Sequence, residues 1–287
     1  YLNYPDLLLT HDSDLLCLIK MMFNDKEYGS SIISEVGRLA LFYGEVLGMV
    51  EMIFELNNGL ISKQVICTQL SKKFLYELDS LLDHSNSPDF ISKLNPIIFR
   101  CSSLILISPN IEEELLQALC WLPVRSFTME VMQLCTENYY WLMSSRPECV
   151  KRILSHSLAV WESVQRLHYG IYKGVHGYDN PFMSKMTYTP SEKPKSRHNI
   201  GAIHLIWLKF FLNRFKSDKL ADKDILRLYT RIFLVACENI QSVKLGASVR
   251  EAYFNLLLLG IKIALHLQSL GDPACFIVFQ TTLNVTI

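Results

Sequence analysis

Glycine and proline are scarce in this sequence, 12 and 10 among 287 residues, so little interrupts regular backbone. No Asn-Gly pair sits between alternating apolar and polar runs, which removes the usual signal for a β-hairpin. The eight cysteines form no Cys-x-x-Cys pair, excluding the common zinc and redox spacings. They lie among apolar neighbours and read as reduced, buried small hydrophobes of a cytosolic protein. Neither sign of charge is in excess: Lys+Arg and Asp+Glu are 28 each, which leaves no electrostatic footprint for nucleic acid. No basic segment precedes an apolar one near the start, so no signal peptide is legible. The longest apolar run, Leu256 to Leu267, is broken by Lys262 and His266 and falls short of a span of about 20 residues. A soluble chain is expected. It opens at Tyr1 without methionine and closes at Ile287 without a helix-ending signal, which suggests a fragment.

Catalytic signatures are missing too. There is no glycine-rich phosphate loop, no Gly-x-x-x-x-Gly-Lys-Ser/Thr, no Asp-Phe-Gly and no Asp-Arg-His loop, so nothing cradles a nucleotide. Gly-x-Ser-x-Gly and His-Glu-x-x-His are also absent. His156, His168 and His176 have no carboxylate at ligand spacing. The sequence therefore assigns no catalytic, cofactor-binding or metal-binding residue.

What is present is apolar residues, 50% of the chain, recurring every three or four positions almost throughout. Ser30 to Leu56 carries Ile33, Val36, Leu39, Phe42, Val46, Val50 and Phe54 on one face, and Gln64 to Leu82 carries Ile66, Leu70, Phe74, Leu78 and Leu81. Ser87-Pro88 reads as a cap with proline at the first helical position, Pro96 as a break or kink before Ile97 to Ile107, and Asn110 as a cap ahead of three glutamates. Pro123 divides the next helix from Phe127 to Met143. Ser145-x-x-Glu148 has the form of a capping box for a helix whose inward face is Leu154, Leu158, Trp161, Val164, Leu167 and Ile171. Asp222 is the expected cap of Ile225 to Ile240, and Val249 to Leu270 is the expected last helix. The fold class that follows is all-α: an irregular HEAT- or armadillo-like α-solenoid of stacked helical hairpins without a fixed repeat. Residues 1–172 and 200–287 form two segments of one superhelix. Between them, 173–199 is a polar, proline-bearing flexible loop in which Lys173, Lys185, Lys193, Lys195 and Arg197 outnumber Asp179 and Glu192. A solvated connector is favoured there over a basic contact with an anionic membrane or partner.

From Trp141 to Leu265 the words become specific: Trp141-Leu142, Arg146-Pro147-Glu148, Ala159-Val160-Trp161, Gly170-Ile171-Tyr172, and His204 through Trp207, Phe210 and Arg214 to Phe215. This pattern resembles the helical region upstream of the catalytic domain in the type III phosphatidylinositol 4-kinase alpha family. The spacings from Trp141 to Trp161 and from Trp161 to Gly170 agree, and Phe254, Leu256, Leu257, Leu259 and Gly260 extend the likeness. Departures are Ile203 for a common proline, Phe211 for leucine, and Lys216 where glutamate usually ends the motif. No likeness is legible over residues 1–139.

The resemblance implies a non-catalytic scaffold segment, with Trp141, Trp161, Gly170, His204, Trp207, Phe210, Arg214, Phe215, Phe254 and Gly260 as structural motif residues. It implies Mg-ATP chemistry in a catalytic domain absent from this chain. It also implies a tetratricopeptide-repeat adaptor and a hyccin-like subunit as partners, a palmitoylated anchor for recruitment to the plasma membrane from the cytoplasm, and a homodimeric parent complex. The alternative is a stand-alone helical-repeat adaptor, since a solenoid looks the same with or without an attached enzyme.

Overall fold

A computed structural model describes residues 29–85, 87–172, 201–217, 222–238 and 247–286. The predicted connector 173–199 and Cys17 lie outside the described residues. Those described form ten α-helices and one short 3-10 turn, with no strand among them. Several helices pack on their chain neighbour and some on the next but one, as stacked hairpins do in a solenoid. The chain is all-α and solenoid-like, as the apolar period implied. Contacts divide it into two compact units, one holding residues up to Ser126 with Gln133–His156, the other Phe127–Met132 and everything from Ser157.

In the first unit, α1 (Gly29–Leu56) packs on α2 (Lys63–Leu82) and α3 (Phe90–Ile107), and α2 and α3 both pack on α4 (Glu113–Arg125). The inward seam of α1 is Leu39, Tyr43, Val46, Leu47 and Val50, one helical stripe. Ser62 caps α2, its Oγ accepting from the Val65 N–H, and Leu82 rather than Leu81 closes the buried seam.

Several predicted boundaries move, each for a tertiary reason. Pro96 does not break α3: one missing N–H is outweighed by the burial of Leu94, Ile98, Phe99, Cys101, Leu104 and Ile105 around it. That helix starts behind Asp89, not at Ser87-Pro88. Asn110 does not cap α4. Its N–H goes to Gln64 Oε1, and the helix begins behind Glu112, whose carboxylate collects Gln64 Nε2 at 2.7 Å, Thr68 Oγ1 at 3.2 Å and Ser108 Oγ at 3.0 Å. Pro123 falls within the last turn of α4. The capping box at Ser145 does not form, because α5 (Met129–Ser145) runs through that serine and Glu148 turns to Arg146 Nε.

Arg146 is the fastening of this unit. Its guanidinium donates to the carbonyls of Ile105 at 2.6 Å, Ser108 at 2.9 Å and Pro109 at 3.1 Å, the acceptors left over where α3 ends. A lysine keeps the charge but not the planar fork. Arg146→Lys should therefore lower stability by about 1–3 kcal/mol, read as a shifted urea midpoint with unchanged slope. An unmoved midpoint would show these contacts to be incidental.

The second unit holds the end of α6 (Cys149–Arg166), the 3-10 turn Gly170–Tyr172, α7 (Ala202–Ser217), α8 (Lys223–Cys237), α9 (Ala247–Ser269) and α10 (Ala274–Thr286). Helix α9 is its hub, packing on α7, α8 and α10. Asp222 caps α8 as expected, its Oδ1 accepting from the Asp224 N–H at 3.0 Å. Helix α10 lies beyond Leu270, where the last helix was expected to end. Asp272-Pro273 was the available signal, and Asp272 Oδ1 does accept from the Ala274 N–H. By length and composition alone, α3 and residues 249–269 of α9 could cross a membrane. A core helix passes the same test, and both are packed within their units.

Candidate functional site

Among the described residues no group of three or more His, Cys, Asp or Glu could hold a metal ion. The described cysteines are free, and all but Cys275 are buried. Burial pushes the Cys149 thiol up to about 11 and those of Cys135 and Cys237 up to about 12, so these sulfurs stay protonated and unreactive near neutrality.

The motif residues instead build packing. In the first unit Trp141 is buried against Leu39, Tyr43, Leu47 and Phe99. In the second, most of the motif converges on one cluster. Trp161 from α6 lies 4.7 Å from Trp207 and 5.1 Å from His204, ring centroid to centroid, and Phe211 stacks on Trp207 at 6.0 Å. Phe215 and Phe211 both meet Tyr229 of α8 edge to face. The indole N–H of Trp161 donates to the Tyr172 hydroxyl at 2.8 Å, which donates to the Ala236 carbonyl at 3.0 Å. Gln165 Nε2 reaches the Glu238 carbonyl at 3.0 Å. Thus α6 and the 3-10 turn satisfy carbonyls that the end of α8 leaves open.

His204 sits at the centre, fully buried, with Phe127 and Tyr172 at 5.4 and 5.5 Å and neither ring nitrogen hydrogen-bonded. Desolvation alone lowers its pKa to about 3, so it is neutral. Gly170 has φ +58°, and a methyl there would overlap the His204 imidazole. Gly260 is the second close approach: a methyl would stand 2.5 Å from the Phe233 ring and 2.7 Å from Thr282 Oγ1.

Phe210 and Phe215 are buried as well. Arg214 is also buried, 6% exposed. Phe254 lies apart from the cluster and is 65% exposed. Phe127, Tyr172 and Tyr229 are cluster members that were not among the predicted motif residues. Tyr172 stood beside Gly170 in the motif, whereas no local signal marks Phe127 or Tyr229. This arrangement has no nucleophile beside a base and no ionised group at its heart. What it does chemically is exclude water and join four elements.

Residues 71–284 match the family described as the PI4-kinase N-terminal region. The chain belongs to that family. The match begins far upstream of Trp141 and so covers α3, α4 and most of α2, where no motif was legible. Phosphatidylinositol 4-kinase STT4 of Saccharomyces cerevisiae is 21% identical over 163 residues, which is 55% of this chain and 9% of the yeast protein. The chain thus spans a small part of the length of the curated relative it matches. The motif from Trp141 to Leu265 lies wholly within that PI4-kinase N-terminal match.

Proposed function

We propose that this chain is a non-catalytic scaffold segment of a phosphatidylinositol 4-kinase alpha, whose parent enzyme makes phosphatidylinositol 4-phosphate at the plasma membrane. The family match carries the reading, and a sequence without any nucleotide-binding signature supports it. Mg-ATP would serve a catalytic domain elsewhere in the parent. The tetratricopeptide-repeat adaptor, the hyccin-like subunit, the palmitoylated anchor and a second copy of the parent are the proposed partners of the scaffold, which is cytoplasmic until recruited. Apolar side chains on α10, with Phe276 at 76% exposure, fit a chain that meets further protein.

Purified chain mixed with Mg-ATP and phosphatidylinositol vesicles should yield no phosphatidylinositol 4-phosphate. Product formation would overturn the division of labour. Excising the corresponding segment from a parent kinase should reduce its membrane recruitment while its turnover on detergent-dispersed lipid persists. Unchanged recruitment would overturn the scaffold role.

A further inference from the structure

Among the described residues neither ring nitrogen of His204 has a hydrogen-bond partner, and aromatic rings surround it. Trp161 offers only an N–H, already given to the Tyr172 hydroxyl, and that hydroxyl's proton is given to the Ala236 carbonyl. The groups facing the imidazole are Trp161 from α6, Tyr172 and Gly170 from the 3-10 turn and Phe127 from the segment before α5. Phe127 in turn packs on Tyr169. Among the described residues Tyr172 is the titratable side chain in ring contact with it, and burial raises that phenol further above its ordinary range. Among the described residues burial alone acts on His204, with no charged neighbour beside it.

An imidazolium carries two N–H donors and a full charge, and among the described residues it has no counter-ion and no established acceptor there. We propose that His204 is an acid-sensitive latch of the second unit: neutral, it holds α6, the 3-10 turn and α7 in one dry cluster, and taking up a proton opens that cluster. Opening would separate Tyr172 from the start of α7 and undo the run from Trp161 through Tyr172 to Ala236.

The direction follows from linkage. Burial depresses the pKa in the folded state, so the contribution of His204 is complete above its unfolded value of about 6.5 and is lost as the pH falls toward its folded value. Each pH unit in that window lowers the folding equilibrium constant about tenfold, hence about 30-fold between pH 7 and pH 5. His156, whose pKa burial also lowers, adds to the wild-type slope, so His156→Gln serves as the background.

The test is urea unfolding of the whole chain at pH 7, 6 and 5, with and without His204→Leu on the His156→Gln background. The parent should lose folding equilibrium about 30-fold from pH 7 to pH 5, and the leucine variant should lose far less. Equal losses would overturn the proposal, and would mean that the surrounding π faces solvate the imidazolium. If the leucine variant does not fold, imidazole nitrogen shifts of the wild type decide. They should show His204 neutral at pH 5 in the folded protein, and titration between pH 6 and 7 without unfolding would overturn the latch.

Discussion

Trp161→Ala is expected to lower the stability of the second unit by about 3–5 kcal/mol, the range for a large aromatic removed from a packed core. The indole is fully buried and touches Trp207, His204 and Phe211, so no water can reclaim the space without crossing apolar surface. Its loss also strips one donor from the Tyr172 hydroxyl. Trp161→Phe should separate the two effects, keeping a ring and giving up a hydrogen bond worth about 1 kcal/mol. Trp207→Ala should fall in the same range as Trp161→Ala. Lys209→Ala, two residues along the same helix, should stay within about 1 kcal/mol, because that ammonium is half exposed and its pair with Glu251 is a surface one. Urea midpoints for the four variants make the comparison. Trp161→Ala matching Lys209→Ala would contradict the packing described here.

The helices were legible because burial follows a period, and the period is written in the sequence. Leu39, Val46 and Val50 in α1, or Ile66, Leu70, Phe74 and Leu78 in α2, need no partner to be recognised. Helix ends were less legible, since distant residues decide them. Asn110 looks like a cap until Gln64, from another helix, takes its N–H, and Ser145 looks like a capping box until Arg146 claims Glu148. Helix α10 escaped for a different reason. Its sequence carries no charged residue and its apolar side chains point both inward and outward, Val278 buried and Phe279 exposed, so no stripe marks a face. At the cluster, Trp161 and Trp207 announce themselves by size. That Gly170 lies against His204 could be learned only from the fold, although the motif had placed both residues in one family pattern.

Gly170→Ala should be nearly as damaging as losing a tryptophan, and two other glycines allow its causes to be separated. Gly271 also has a positive φ, +67°, but nothing lies within 4 Å of where a methyl would go. Gly271→Ala should therefore cost only the left-handed backbone penalty of roughly 1–2 kcal/mol. Gly260 sits inside α9, where alanine is favoured by backbone propensity. There the methyl meets the Phe233 ring at 2.5 Å and Thr282 Oγ1 at 2.7 Å, a pure overpacking problem of roughly 1–3 kcal/mol. Gly170 suffers both: φ is +58°, the methyl overlaps the His204 imidazole, and the Phe127 ring is 3.0 Å away on another side. The sum predicts a loss of roughly 2–5 kcal/mol for Gly170→Ala, larger than either control. Adding His204→Ala should make the double variant less damaged than the two single losses added together, because the space vacated by the imidazole admits the methyl. Strict additivity of Gly170→Ala and His204→Ala would show that the glycine is needed for its backbone angle alone, and that its closeness to His204 carries no energy.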